Sequence, residues 1–241
     1  MEKLANSFSV LGLDAEDSHV PTTAGSNGDK GVNPDIGIIP VKKKKQYQED
    51  PVTPCEYKLP LVWIDLEMTG LNIEVDRILE IACIITDGYL TKTVEGPDLV
   101  IHQTEECLGR MGEWCQNHHG SSGLTKKVQQ STISEGEAEK QVIEFVQRHL
   151  NVDSHTPLLA GNSIYVDFQF LKKYMPTLAS LFSHVLVDVS SVKALCIRWF
   201  PKDLKNAPSK ENRHRAMDDI RESIEELRYY KENIFKPKSR K

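Results

Sequence analysis

The pattern of apolar and polar positions is sharpest over Leu61-Val62-Trp63-Ile64-Asp65-Leu66-Glu67-Met68, an apolar run interrupted by two acids. Its length and apolar content predict a strand inside a sheet. Strand side chains alternate faces, so Val62, Ile64, Leu66 and Met68 point to a core. Asp65 and Glu67 share the other face, about 6–7 Å apart along the strand. Met68-Thr69-Gly70-Leu71-Asn72 breaks the pattern as a loop. A second strand follows between Arg77 and Thr86, Asp87-Gly88 marks a hairpin, and a third strand ends around Asp98–His102.

Helical spacing then takes over. Leu108 to Cys115 predicts a short helix and Gly120-Ser121-Ser122-Gly123 a loop. Ser134-Glu135-Gly136-Glu137 has the form of a capping box, and Ala138, Val142, Phe145 and Val146 follow at helical spacing. Pro157–Gly161 predicts a fourth strand, followed by a helix through Asp167, Phe168, Leu171 and Tyr174 that ends at Pro176. Leu186-Val187 predicts a fifth strand. A helix capped by Asp188 or Ser190 runs through Val192, Leu195, Cys196 and Trp199 and stops at Pro201. Lys202 to Arg213 predicts a lysine-rich loop, and about Arg215 to Lys231 a last helix with Ala216, Ile220, Ser223, Ile224 and Leu227 inward. The element order predicts an α/β fold. Its mixed five-stranded sheet would hold an antiparallel meander, then two parallel strands reached by helical crossovers, with helices flanking it.

Residues 1–57 lack this patterning. Pro21–Gly28 is a run of turn-forming residues with nothing to bury, so the stretch predicts a poorly ordered tail. The folded domain is expected over 58–235, with a short basic tail at 236–241. With 241 residues, 27% charged and 39% hydrophobic, the chain has the composition of a globular protein with a sizeable core. No apolar run is long enough to span a membrane. The formal net charge of −5 argues against coating long nucleic acid, which calls for a basic face. Five cysteines without a C-x-x-C pair suggest free thiols in a reducing compartment. An acidic, arginine-free N-terminus is unlike a mitochondrial presequence and favours the cytoplasm. Lys42–Lys45 reads as a solvated charge run, a phosphate-attracting patch or a nuclear signal.

The acids are the candidate chemistry. Two carboxylates on one face of a buried strand repel unless protonated or held by a cation, and hard oxygen ligands suit Mg²⁺ or Mn²⁺. A half-exposed edge strand with a polar outer face is the plainer alternative. Asp167 falls in the first turn of a helix, where the macrodipole by itself favours an acid. Asp219 lies in line with the apolar stripe of the last helix. It could pair with Arg215 one turn back, with Asp218 competing for that role. Glu80, inside an apolar run, could be a further site acid or a structural acid satisfied by Arg77 or a backbone donor. Four carboxylates suit two divalent ions at a phosphodiester. His214, five residues before Asp219, is either a general base or a surface histidine.

Asp65-x-Glu67, Asp167 and His214-x-x-x-x-Asp219 stand in the order of the DEDDh 3′→5′ exonucleases, and longer stretches are closer still. Trp63–Leu71, Asp76–Ile81, Gly161–Ile164, Lys173–Pro176 and His214–Ile224 resemble the oligoribonucleases, and the resemblance covers Leu61 to about Phe235. It implies a ribonuclease H-like fold and a homodimer that shortens small single-stranded RNA, down to dinucleotides, to 5′-mononucleotides. It also implies two metal ions on Asp65, Glu67, Asp167 and Asp219, with His214 as base. Leu71 would wedge against a base, Trp114 and His119 would line the nucleobase pocket, and Ser163 and Ser190 would meet the far phosphate. The chain departs from the pattern at His184-Val185, where bacterial and animal members carry a Tyr-Arg pair that acts at the partner subunit's site. His184 could serve as a polar contact, but Val185 cannot hold a phosphate as arginine does. A DNA-directed exonuclease of the same fold and a non-cleaving nucleic-acid-binding module are the alternatives.

Overall fold

The computed structural model of the protein describes residues 57–150, 156–208 and 215–235. The expectations for the N-terminal tail with Lys42–Lys45, for Lys210, His214 and the C-terminal tail lie outside the described residues. The strands are β1 (Leu61–Met68), β2 (Ile78–Thr86), β3 (Thr93–Val100), β4 (Leu158–Gly161) and β5 (Leu186–Asp188), in the order β3-β2-β1-β4-β5. β1 to β3 pair antiparallel, while β4 runs parallel to β1 and β5 parallel to β4. The expected mixed sheet is present, and the acid-bearing strand is its centre, not its edge.

β1 is buried on both faces. Val62, Ile64 and Leu66 join Ile81, Cys83 and Ile85 in one core, which is closed by α4 (Glu135–His149), α5 (Tyr165–Tyr174) and α6 (Pro176–Ala179). Leu61 and Trp63 face the other way, into a second core with Ala82 and Ile84 beneath α7 (Val189–Trp199) and α9 (Ala216–Tyr229). Trp63 buries its indole with its one donor satisfied, since Nε1 donates to Thr86 Oγ1 at 3.0 Å. The acids thus continue a buried face. The polar character starts at Asp65 because the neighbouring strand ends: β4 pairs with β1 over Leu61–Trp63 and stops at Gly161. Asp167, in the first turn of α5, takes over there and accepts from the Leu66 backbone N–H at 3.0 Å. A register shift between Glu67 and Met68 re-aims the end of β1.

The expected helix at Leu108–Cys115 is broken. α1 (Glu105–Gly109) ends at Arg110, and α2 (Glu113–Ser121) starts after Gly112, whose extended backbone caps it. Leu108 and Met111 are both buried, which gives the segment an apparent helical period across the break. The Gly120–Gly123 loop shrinks because Gly120 and Ser121 finish α2, and Gly123, at φ +73°, turns directly into α3 (Leu124–Gln130). Only glycine takes that backbone without strain. α8 (Pro201–Leu204) is a single turn inside the expected lysine-rich loop, and the last helix continues as a π-helical turn over Tyr230–Ile234. Among the described residues no helix is long and apolar enough to cross a membrane.

Candidate active site

α9 delivers the third acid. Ala216, Met217, Ile220 and Ile224 bury one stripe of the helix in the second core, against β1 and β2. Asp219 beside that stripe then faces the end of β1. Carboxylate oxygens of Asp65, Glu67 and Asp219 come within 4.8 Å of one another, and all three residues are half-buried. Asp167 stands outside this trio, 6% exposed, with one oxygen committed to Leu66 N–H. It is still near enough for its charge to act on Glu67.

The acids that the sequence left open have other partners. Glu80, opposite Glu67 in the β1–β2 register, is fully buried and pairs with Arg215. Arg215 Nε lies 3.1 Å from both Glu80 oxygens, and Ala216 N–H donates to Oε2 at 3.3 Å. Glu80 therefore pins the start of α9: it is a structural acid with a backbone donor, as one expectation had it, and its guanidinium partner is Arg215, not Arg77. Arg77 instead donates from Nε to Glu135 at 3.0 Å and lies 4.7 Å over the Tyr174 ring. Asp218 takes the exposed role and pairs with Arg221 at 2.8 Å.

Packing three anions together moves protons. The Glu67 carboxyl is pushed up to about 8, chiefly by burial and then by Asp219, Glu80 and Asp167, while Arg215 opposes the rise. Asp167 is pushed up to about 7, again chiefly by burial, against the stabilising Leu66 N–H. A cluster that takes up a proton near neutrality is one that a divalent cation can hold ionised. These oxygen donors fit a hard cation.

The charge clustering predicts a measurable effect on stability. Between its ordinary value of 4.5 and about 8, native Glu67 keeps a proton that the unfolded chain releases. The native state then binds more protons than the unfolded one, so stability falls as pH rises through that window. Glu67→Gln removes the effect. In chelator, the variant should exceed the wild type in stability by about 2–4 kcal/mol near pH 8, with the gap closing toward pH 5. Urea melts across pH read this directly, and parallel curves for the two proteins would contradict it.

The other site residues spread around this centre. His119 is 2% exposed, and its Nε2 meets the Met68 carbonyl at 2.9 Å. A carbonyl only accepts, so Nε2 carries the proton. Burial pulls the imidazole below its ordinary value and keeps it neutral. Its bare Nδ1 lies 3.9 Å from Glu67 Oε2 and has no hydrogen-bond partner among the described residues. Trp114, 36% exposed, stacks on His118 with centroids 3.8 Å apart. Leu71 is 44% exposed on a loop that Asp76 ties down by accepting from Thr69 Oγ1 at 2.9 Å and Asn72 N–H at 2.8 Å. Asp76 occupies the space where a side chain at Gly70 would sit: a Cβ there would lie 2.5 Å from its carboxylate. Ser163 and Ser190 are joined to each other, while His184 and Val185 are exposed.

A half-buried carboxylate cluster at the end of a central strand, closed by a helix-borne acid, offers the oxygen donors that a divalent cation takes. The profile of the RNase T family, described as Exonuclease, matches residues 62–227. Solved exonuclease I superposes with a TM-score of 0.56 at 14% identity, covering 73% of this chain and 42% of that one. Exonuclease I of E. coli in complex with a dA16 oligonucleotide gives the same values. Those likenesses show the fold. Oligoribonuclease of Arabidopsis thaliana is 60% identical over 98% of this chain and 99% of its own length. Mitochondrial oligoribonuclease of Homo sapiens is 51% identical over 74% of each chain, and oligoribonuclease of Marinobacter nauticus 52% identical over 73% of this chain and 96% of its own. The chain belongs to the oligoribonucleases within the exonuclease family, which implies a divalent metal at the acid cluster.

Proposed function

We propose that the enzyme removes nucleotides from the 3′ end of short single-stranded RNA, down to dinucleotides, and releases 5′-mononucleotides. The observation that carries the site assignment is the convergence of Asp65, Glu67 and Asp219 within 4.8 Å. Together with Asp167 they would hold two ions, Mg²⁺ or Mn²⁺. Bound there, the ions would stabilise charge on the phosphodiester and on the attacking and leaving oxygens. His214 takes the proton from the attacking water through its neutral imidazole. Leu71 and Trp114 offer exposed apolar faces to the bases, a sequence-tolerant contact that suits a scavenger of mixed fragments. His119 closes the floor beside Glu67, and Ser163 and Ser190 meet the far phosphate. We take 58–235 as the exonuclease domain, with 1–57 and 236–241 as tails, and the cytoplasm as its compartment. The free Cys83, Cys107, Cys115 and Cys196 support a reducing environment.

A homodimer fits the outer face of α7, where Leu195 and Trp199, one turn apart, are 42% and 64% exposed. His184 would then reach the partner subunit's substrate. Sedimentation reporting a monomer at working concentration would exclude this arrangement. The activity itself is tested with a labelled RNA dinucleotide, a longer RNA and a DNA oligomer, each with and without chelator. Metal-dependent mononucleotide release that is fastest on short RNA is expected. Preference for DNA, or binding without cleavage, would overturn the reading.

Val185 adds a prediction about length preference. A charge-assisted phosphate contact is worth roughly 1.5–3 kcal/mol, about one to two factors of ten in affinity. This chain should therefore discriminate dinucleotides from longer oligomers less than members with arginine do. Val185→Arg should sharpen the preference in a turnover series over substrate length. A wild type already strongly selective for 5′-phosphorylated dinucleotides, and unmoved by Val185→Arg, would assign the role to another group, with exposed Lys202 and Lys205 the first to substitute.

A further inference from the structure

A directed chain of hydrogen bonds joins the two serines to the helix that carries Asp219. Ser223 Oγ meets the Asp219 carbonyl at 2.7 Å, and Asn162 Nδ2 meets Ser223 Oγ at 2.6 Å. Ser190 Oγ meets Asn162 Oδ1 at 3.1 Å, and Ser163 reaches Ser190 Oγ with its backbone N–H at 3.0 Å and its hydroxyl at 3.2 Å. The polarity of the whole chain follows from its last acceptor. A carbonyl only accepts, so Ser223 must donate to it and accept from the Asn162 amide. Asn162 then presents its oxygen to Ser190, whose proton is thereby committed. Ser190 in turn accepts from Ser163.

Several features show that this chain holds a geometry. Ser163 sits at φ +50°, a backbone that non-glycine residues adopt at a cost and keep only where the surroundings impose it. Its N–H is shared between Ser190 Oγ and Asp188 Oδ1, the latter at 2.9 Å. Ser223 is 3% exposed within the apolar stripe of α9, where a hydroxyl without partners would be costly. Asn162, just past the end of β4, is the hub: its Oδ1 takes the bond from Ser190 at the start of α7 and its Nδ2 gives one to Ser223 on α9, so the bonds tie these three elements together.

We propose that Asn162 and Ser223 are positioning residues that couple the phosphate-contacting Ser163–Ser190 pair to the placement of Asp219 at the metal site. The inference rests on the reading that Asp219 holds metal and that the two serines meet substrate. It also divides the labour between the serines. Ser190's proton is spent on Asn162, so Ser190 orients. Ser163 can swing its hydroxyl proton from Ser190 to a phosphate oxygen while its backbone N–H keeps the pair together. Ser163 is the donor to substrate.

Calorimetric titration with Mn²⁺ alone tests the coupling without reference to turnover, and KM for an RNA dinucleotide supplies the second readout. Ser223→Ala should weaken Mn²⁺ binding about tenfold or more, the usual effect of removing an outer-shell partner of a metal ligand, and should also raise KM. Ser223→Thr keeps the hydroxyl and should restore both. Asn162→Ala, an independent break in the chain, should move both readouts together. Ser163→Ala should raise KM and leave Mn²⁺ binding unchanged. Wild-type Mn²⁺ affinity in folded Ser223→Ala and Asn162→Ala proteins would overturn the coupling. Wild-type Mn²⁺ affinity in Asp219→Ala would instead remove the reading on which it rests, so the two failures are told apart.

Discussion

Asp219→Ala should lose about a thousandfold or more in turnover while the domain stays folded. A bound metal contributes several kcal/mol to stabilising charge in the transition state, and each 1.36 kcal/mol is about a factor of ten in rate. Asp219 is one of three carboxylates whose oxygens meet within 4.8 Å, so its loss opens the site. The fold should tolerate the change for two reasons. The start of α9 is held by Glu80 through Arg215 and the Ala216 N–H, independently of Asp219. Removing one anion also relieves the repulsion that, after burial, raises the Glu67 carboxyl. A first-turn acid is favoured by the helix dipole by about 0.3–1 kcal/mol, which offsets part of that relief. The melting temperature in chelator should therefore be unchanged or slightly raised. A well-folded Asp219→Ala protein with wild-type turnover would remove Asp219 from the metal site.

His214→Ala should lose about 10²–10⁴-fold in rate, the usual worth of a general base, and keep its affinity for Mn²⁺. His214 directly precedes Arg215, whose guanidinium is anchored on buried Glu80. At saturating metal, wild-type turnover should fall about tenfold per pH unit once pH drops below roughly 6–7, where an ordinary histidine takes up its proton and can no longer accept another. The variant should lose that limb of the profile. Weakened Mn²⁺ binding in His214→Ala would make the residue a ligand instead, and an unchanged acid limb would place the base elsewhere.

The two helices around Gly112 show why local periodicity gave a wrong boundary. Leu108 and Met111 are buried three residues apart, as in one helix, yet the backbone turns between them. α3 carries Leu124 and Val128 at i, i+4, but its seven residues follow a run rich in glycine and serine that reads as loop. By contrast, the start and the buried stripe of α4 were legible. Ser134 Oγ accepts from the Glu137 N–H at 3.2 Å, and the apolar residues after it are the buried ones. Ser223 offered a signal that the site reading did not use: a hydroxyl in an apolar stripe has to find a partner.

What the sequence determined by itself is local or written in motif order. The alternation along β1 put Asp65 and Glu67 on one face, helical spacing put Asp219 beside the buried stripe of α9, and the spacing of the acids marked the family. These follow from backbone geometry, which repeats every two or every 3.6 residues whatever the rest of the chain does. The tertiary structure decided which charge meets which. Arg77 meets Glu135, 58 residues away, Arg215 meets Glu80 at a separation of 135, and Asn162 meets Ser223 at 61. No periodicity encodes such pairs, because each depends on where the sheet brings two elements together and on which buried group would otherwise lack a partner. The same is true of the protons. Glu67 and Asp167 have ordinary carboxyls as residues, and only burial together, with one more acid carried in by α9, sets how readily the cluster takes a cation.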